Sequence, residues 1–394
     1  MRSVAEAIAA LRRDGKVLAG PVTVGLDSAL GRVLAEDIVA PLDVPPADNS
    51  AMDGYAFRHR DWPGGGGTLA VSQRIVAGAA PQPLEPGTAA RIFTGAEIPV
   101  GADTVVMQEH CAQDGTRVAI RKCPERGANV RPRAQDIRAG RVVLEAGARL
   151  GPQALGLVAS LGMARIRVYR PLKIAIISNG SELVEPGQAL GPGQIYNSNR
   201  YLLAGLVRAW GFEALDFGIV PDDPGEIRAV LERAAREADA IISSGGVSVG
   251  EEDHVKDVVD ALGGIELWKV SIKPGKPFAF GRVGQTPFLG LPGNPSSVLV
   301  TCLVIARPYL LGCQGVTATD VAPVRKTALF DHRGGPRDEY LRARSAGDGV
   351  ECHPRQSSGI LLSTVWGDGL VRQKAGQDIR RGDTVDFLPY ALLN

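Results

Sequence analysis

Five cysteines stand in 394 residues, Cys111, Cys123, Cys302, Cys313 and Cys352, odd in number and with no Cys-x-x-Cys pair. That scarcity excludes a disulfide scaffold and a paired-cysteine zinc site, and it predicts a reduced, cytoplasmic protein. The five histidines, His59, His110, His254, His332 and His353, have no ligand spacing either. Neither sign of charge prevails: Lys and Arg number 44, Asp and Glu 43. The balance removes any bulk electrostatic reason to expect nucleic acid or an anionic membrane as partner, so an anionic ligand needs a local cluster of charge. Long hydrophobic runs are missing as well. The nearest uninterrupted one, Val298 to Ile305, is far too short to span a bilayer. The start, MRSVAEAIAALRRDG, has the apolar spacing of an amphipathic helix and lacks the apolar core of a signal peptide.

What is present is a globular composition rich in turns, with 44% hydrophobic residues, 49 glycines and 27 prolines. The length predicts about two to four domains. The first forty residues read as a helix, a turn and a second helical stretch over 28–35. Residues 42–136 carry short apolar runs, such as 91–93 and 104–107, broken by Gly and Pro, which predicts short strands. The glycine-rich stretch 61–68 there reads as a hairpin connection, because no strand-loop-helix context and no Lys-Ser/Thr follow it. From Gly151 a helix leads into a strand at 165–168. Strands and helices then alternate: strands at 173–177, 213–220 and 240–242, two more ending near Lys273 and Leu291, and helices at 199–210, after Pro224, at 255–262 and at 296–310. Such alternation predicts a mainly parallel sheet covered on both faces, over about 172–312. After Gly315 the pattern becomes all strands and turns.

In an open parallel sheet, ligands bind beyond the carboxyl ends of the strands. Here those ends carry Ser178 to Glu182, then Asp222 and Asp223, then a Ser243-Ser244-Gly245-Gly246-Val247-Ser248-Val249-Gly250 turn running into Glu251, Glu252 and Asp253. Lys273-Pro274-Gly275-Lys276-Pro277 and Leu291-Pro292-Gly293-Asn294-Pro295 follow the last two. A Ser-Ser-Gly-Gly turn lets backbone N–H groups approach an anion closely. The helix after Pro295 offers its positive end, and Lys269, Lys273 and Lys276 offer fixed charge. Glu182, Asp222 and Asp253 are hard oxygen donors suited to Mg²⁺. Singly each feature has an ordinary reading: Asp222-Asp223-Pro224 is helix-start chemistry, Glu251 to Asp253 suit the first turn of the next helix, and the lysines suit a wet surface. Converging on one sheet edge, they suit an anionic substrate handled with a divalent metal.

The strings AspAsnSerAlaMetAspGlyTyrAla (48–56), IlePheThrGlyAla (92–96), GlyAlaAspThrValVal (101–106), SerSerGlyGlyValSerValGly (243–250), LysProGlyLysPro (273–277) and LeuProGlyAsnPro (291–295) closely resemble the MoeA-type molybdopterin molybdenumtransferases, a family shared with the C-terminal domain of gephyrin. The likeness runs in order over essentially the whole chain. It implies insertion of molybdenum from molybdate into adenylylated molybdopterin, with Mg²⁺ assistance and release of AMP, and a homodimer whose site lies between the α/β domain of one subunit and the second domain of its partner. It implies a separate molybdopterin adenylyltransferase as partner. By motif, Asp53, Thr94, Asp136, Glu182, Asp222 and Asp253 fall at catalytic positions, with Glu182, Asp222 and Asp253 as metal ligands. Arg131, Ser244, Gly245, Gly246, Ser248, Lys269, Lys273, Lys276, Pro292, Asn294 and Pro295 fall at substrate positions, and Arg342 and Ser358 at molybdate positions. The chain departs from the family at Asn179-Gly180-Ser181-Glu182, where Thr-Gly-Asp-Glu is common, and at Gln135, where an acid is common.

The expected fold is therefore multidomain. A mixed linker and dimerisation domain spans 1–41 and 137–170, and an inserted β-rich domain spans 42–136. A doubly wound, mostly parallel α/β domain resembling the molybdopterin adenylyltransferase fold spans 171–315, and a small barrel-like β domain 316–394. The competing functions are an adenylyltransferase acting one step earlier and a non-catalytic scaffold of the gephyrin kind. The additional domains speak against the first, and the intact acids and lysines against the second.

Overall fold

The computed structural model describes residues 1–63, 67–247 and 254–394. Tertiary contacts divide the chain into two compact units, one of Met1–Glu36, Ala146–Gly151 and Arg165–Asn394, the other of Asp37–Glu145 and Pro152–Ala164.

The first unit is built on a six-stranded sheet in the order 213–220, 173–179, 240–244, 286–291, 279–283, 265–268. The first four strands are parallel, as the alternating sequence predicts. Strand 279–283 runs antiparallel to both its neighbours, so 265–268 points the same way as the first four. The reversal is a tight hairpin, with Val283 opposite Thr286 and Gly284 at φ 59° in the turn. Its Gly-Gln dipeptide is a weak hairpin signal, so the sequence reading passed over it.

Strand Lys173–Asn179 explains why both faces are covered. Its side chains alternate, so Ile174 and Ile176 enter one buried cluster while Ala175 and Ile177 enter another. Helix Ser198–Ala209 adds Leu203, Leu206 and Val207 to the first, and the N-terminal helix Val4–Asp14 adds Val4, Ala7 and Leu11. Ser3 and Glu6 close a capping box at the start of that helix. Helices Pro224–Glu237 and Val255–Leu262 fill the second cluster.

The helical run Pro295–Cys313 is 19 residues long with mean hydropathy 1.6, enough by length and composition to cross a membrane, which the uninterrupted run 298–305 understated. It is a core helix instead, 89% buried within the fold. Residues 28–35 are not helical beyond one short turn at Leu26–Ser28. Gly31, at φ 74°, breaks the turn. The chain then runs extended, with Gly31 and Leu34 amides donating to Leu150 and Ala148 carbonyls at 2.8 and 3.0 Å.

The C-terminal part of this unit is a closed barrel of five strands, Val324–Ala328, Asp338–Ala346, Gly349–Cys352, Gly369–Gln373 and Thr384–Pro389, closed by pairing of the second with the fourth. Leu341, Ala343, Val350, Val371, Val385 and Phe387 fill its interior. The short strand Ile272–Lys273 joins this barrel, parallel to Asp338–Glu339. The alternation of the sequence predicts it instead as a strand of the α/β sheet.

The second unit carries its own six-stranded sheet, in the order 104–107, 54–57, 88–92, 68–75, 117–120, 111–114. One face buries Ala56, Ala90, Ile92 and Val105, the other Tyr55, Phe57, Ala89 and Val106. Gly54 is obligatory there, because a Cβ would stand 1.8 Å from the Val106 carbonyl oxygen.

Candidate active site

The carboxyl ends of strands 173–179, 240–244 and 286–291 open into a cavity of about 980 Å³. Its wall includes Glu182, Asp222, Ser244, Gly245, Gly246, Lys273, Lys276, Pro292, Asn294, Pro295 and Ser358. Eleven of the positions singled out in the sequence thus meet in one place, at the sheet edge where an α/β fold binds ligands.

The two consecutive aspartates divide their work. Asp223 caps the following helix, accepting from the Gly225 and Glu226 amides at 2.9 and 2.9 Å. Asp222 turns back to the neighbouring strand end. Its carboxylate accepts from the Asn179 side-chain amide and, at 2.9 Å, from the Ser181 backbone N–H. The Asp222 amide donates in return to Ser181 Oγ at 3.2 Å. Gly180, at φ 151°, makes this bend possible, and the Glu182 side chain folds back over it: a Cβ on Gly180 would lie 2.4 Å from Glu182 Oε2. Beneath these groups Ser178 Oγ, Asn179 Oδ1, Ser243 Oγ and Asn199 Oδ1 are buried with no hydrogen-bond partner among the described residues. Buried polar atoms in folded proteins are nearly always paired; of these four residues Asn179 and Asn199 line the cavity, whereas Ser178 and Ser243 are not part of its wall.

The wall also contains the Gly245–Gly246 turn, with φ of 90° and 66°, whose Gly245 amide donates to the Leu291 carbonyl at 3.1 Å. A Cβ at Gly245 would stand 2.3 Å from the Asn179 carbonyl oxygen, and one at Gly246 would stand 2.4 Å from Val255 Cγ2. Only glycine fits either place. Lys273 Nζ donates to Glu339 at 3.0 Å, and that glutamate is buried. Lys276 is exposed; its carbonyl accepts from the Val270 amide at 3.2 Å, but its Nζ has no hydrogen-bond or ion-pair partner among the described residues. Of the two lysines in this wall, Lys276 is thus the one whose charge is uncommitted among the described residues. Lys269 is not part of the cavity wall. Its backbone is left-handed, φ 65°, and its amide donates to the Phe278 carbonyl at 3.1 Å.

The barrel contributes loop 356–361, which docks on the start of the core helix. The Ser296 amide donates to the Ser358 carbonyl at 3.0 Å, and Ser296 Oγ donates to the Ile360 carbonyl at 2.8 Å. One amide expected to face an anion is thus taken by the loop. Arg342 stands behind this loop, 1% exposed. Its guanidinium donates to Ser363 Oγ at 3.2 Å, to the Tyr340 carbonyl at 3.4 Å and to the Ser357 carbonyl at 3.2 Å. Burial lowers its pKa from the ordinary arginine value. Gln356 docks on the Arg342 backbone, accepting from its amide and donating to its carbonyl, both at 2.9 Å.

The second unit holds a separate group. Strand Asn49–Ser50 pairs with Val130–Arg131 and is bonded on its other side to residues 95 and 96, which brings Asp53, Thr94 and Arg131 to one neighbourhood. The Thr94 backbone amide and hydroxyl both donate to Asp53 Oδ1, at 2.8 and 2.8 Å, and hold its carboxyl below the ordinary aspartate value. Arg91 stacks on Phe93 and Tyr55, 4.6 and 5.2 Å from the ring centroids. Asp136 is exposed in the same unit, its backbone N–H bonded to the Val44 carbonyl at 3.0 Å. Asp253 and Ser248, with Glu251 and Glu252, lie outside the described residues.

Arg337, Asn199 and Gln356 also line the cavity, and the sequence reading missed all three. Arg337 lies in a barrel strand's approach and Gln356 in a loop whose neighbour in space is 14 residues away, so no local pattern exposes them. Among the described residues no three His, Cys, Asp or Glu side chains cluster as a metal cage.

Residues 2–162 match the MoeA N-terminal region (domain I and II), 175–312 a probable molybdopterin binding domain and 328–390 the MoeA C-terminal region (domain IV). A molybdopterin molybdenumtransferase from Haemophilus influenzae is 45% identical over 293 residues, 74% of this chain and 72% of the relative. Molybdopterin molybdenumtransferase 2 from Mycobacterium tuberculosis is 40% identical over 385 residues, 88% of this chain and 95% of the relative. The crystal structure of a molybdopterin biosynthesis moeA protein from Pyrococcus horikoshii OT3 superposes with a TM-score of 0.87 at 29% identity, over 99% of this chain and 100% of that one. By these likenesses over nearly its full length, the chain belongs to the MoeA family of molybdopterin molybdenumtransferases.

Proposed function

We propose that this chain makes molybdenum cofactor by inserting molybdenum from molybdate into adenylylated molybdopterin, with release of AMP, and that the strand-end cavity holds the phosphates of that substrate. The observation carrying this reading is the convergence of Glu182, Asp222, Lys276 and the Gly245–Gly246 turn on one cavity. Acids and a lysine whose charge is unpaired among the described residues meet around a glycine turn. They suit a phosphate-bearing substrate with a hard cation.

The residues present fit Mg²⁺. The two carboxylates of the cavity wall, Glu182 and Asp222, form an oxygen-only donor set, and Mg²⁺ is typically bound by one or two carboxylates together with substrate phosphates. Glu182 and Asp222 would hold it, with Asp253 as a further candidate. Bound there, it would offset the negative charge of the phosphate oxygens. The chain's own groups do the rest. The Gly246 backbone amide binds a phosphate oxygen, the Gly245 amide being donated to the Leu291 carbonyl at 3.1 Å, and Lys276 and Lys273 stabilise the charge that develops on AMP as an incoming oxygen nucleophile displaces it from the remaining phosphate. Ser358, on the barrel loop, is a candidate contact for molybdate, with Arg342 holding the loop in place from behind. Asp53, Thr94, Arg131 and Asp136, in the second unit, are proposed as further residues needed for the reaction.

We also propose the four-part division at 1–41 with 137–170, 42–136, 171–315 and 316–394; the family segments at 175–312 and 328–390 fall within its last two parts. We further propose a homodimer, checked by light scattering, supplied with substrate by a separate molybdopterin adenylyltransferase. The functional test is the purified chain with adenylylated molybdopterin, Mg²⁺ and molybdate. AMP and active cofactor should appear together, and only with molybdate present. Accumulation of adenylylated product from molybdopterin and ATP instead would make it an adenylyltransferase.

A further inference from the structure

We infer that Asn179 is a positioning residue that fixes the Asp222 carboxylate against the Gly245–Gly246 turn, so that the cation-facing and phosphate-facing parts of the cavity keep one geometry. The inference rests on the metal and phosphate reading of this cavity. It concerns a residue that departs from the family's common threonine.

Asn179 ends strand Lys173–Asn179 and is 4% exposed. A carboxylate only accepts hydrogen bonds. The Asn179 amide nitrogen must therefore face Asp222, which sets the orientation of the whole side chain and turns Oδ1 away from the carboxylate. That oxygen is buried without a partner among the described residues. The same amide nitrogen would be 2.8 Å from a Cβ on Gly246, and the Asn179 carbonyl oxygen 2.3 Å from one on Gly245. Asn179 is thus wedged between the turn and the carboxylate, touching both.

Asp222 has few other restraints. One oxygen accepts from the Ser181 N–H at 2.9 Å, and the other accepts from Asn179. Two donors, one on each oxygen, fix both the rotation and the tilt of the carboxylate while leaving each oxygen a lone pair for a ligand. Without Asn179 the carboxylate keeps one restraint and can rotate about its bond. Aspartate at position 179 would place a second negative charge against the first. Threonine would keep a hydroxyl donor on a shorter, β-branched side chain.

The test uses Asn179→Ala, Asn179→Asp and Asn179→Thr in the full-length chain, with Mn²⁺ as the probe cation. Free Mn²⁺ is read by electron paramagnetic resonance, and AMP release gives kcat and KM at varied Mg²⁺. Thermal melting controls for folding. Asn179→Ala is expected to weaken Mn²⁺ binding about tenfold and to raise the half-saturating Mg²⁺ by a similar factor, with the KM for adenylylated molybdopterin changed less than threefold. Asn179→Asp should lower kcat, and Asn179→Thr should fall within threefold of the parent chain in Mn²⁺ binding. Unchanged Mn²⁺ affinity in a folded Asn179→Ala variant overturns the inference, as does a parent chain that binds no Mn²⁺. If the parent binds Mn²⁺ and Asn179→Ala weakens it, yet neither releases AMP, the positioning role stands and the proposed reaction fails.

Discussion

Asp222 and Asp223 are adjacent and chemically identical, yet one caps a helix and the other faces the cavity. A capping motif is local, and the Asp-Asp-Pro string predicts it. Which aspartate is left for other work depends on Asn179 and Ser181, over 40 residues away, and no string reveals that. Arg342 teaches the converse. A motif match makes it a candidate for molybdate, whereas its guanidinium is buried and committed to a serine and two carbonyls of the barrel. Two predictions belong at this scale. Thr94→Val removes one of two donors to Asp53 while leaving the backbone amide, so the Asp53 pKa should rise part of the way toward the ordinary aspartate value. A carbon-detected NMR titration of side-chain carboxyls reads this, and an unmoved Asp53 would show the hydroxyl to be irrelevant. Lys273→Ala leaves Glu339 buried without its 3.0 Å partner. Because Lys273 itself is half exposed, the loss of stability should be about 2 kcal/mol, below that of a fully buried pair, measured by urea unfolding.

At the level of elements, the alternating strands and helices of 173–313 were readable because each obeys its own period and ends at turn residues. Glu213–Val220 is found where its apolar run places it. What escaped was pairing. Ile272–Lys273 reads as one more strand of the α/β sheet, but its partner is Asp338–Glu339 in the barrel. Pairing across more than 60 residues leaves no trace in either segment alone. The Gly245–Gly246 turn was readable, because consecutive glycines after a buried strand have few other uses. Gly245→Ala should be destabilising by roughly 1–3 kcal/mol from the forced backbone conformation alone, and its Cβ would meet the Asn179 carbonyl. Phosphate binding should weaken more than folding does, which calorimetry with AMP and thermal melting would separate. Ser296→Ala removes the hydroxyl bond to the Ile360 carbonyl and keeps the amide bond to Ser358. The expected effect is a KM for molybdate raised several-fold with the melting temperature little changed. An unaltered KM would detach the barrel loop from the site.

For the whole molecule, family, fold and the eleven converging cavity residues were legible in the sequence. The orphaned polar atoms beneath them were not, because they arise only when separate strand ends come together. The stability of the first unit also has a long-range component. Burial by itself would raise the pKa of Asp239, but the Arg170 fork, at 2.7 and 2.6 Å, and the Lys173 amide outweigh it and lower the value. A carboxyl with a lowered folded pKa adds stability above its unfolded pKa, about 3.9, and loses it as pH falls through the folded value. Acid unfolding below about pH 4 should therefore be less pH-dependent in Asp239→Asn than in the parent chain, read by fluorescence.

The proposed reaction stands or falls on Asp222→Ala. With adenylylated molybdopterin, Mg²⁺ and molybdate, the parent chain should release AMP, and the folded variant should release it at least about a hundredfold more slowly, the scale typical of losing one stabilising group in a preorganised site. AMP release by Asp222→Ala at the rate of the parent chain would contradict the assignment of the strand-end cavity as the place where that bond is broken.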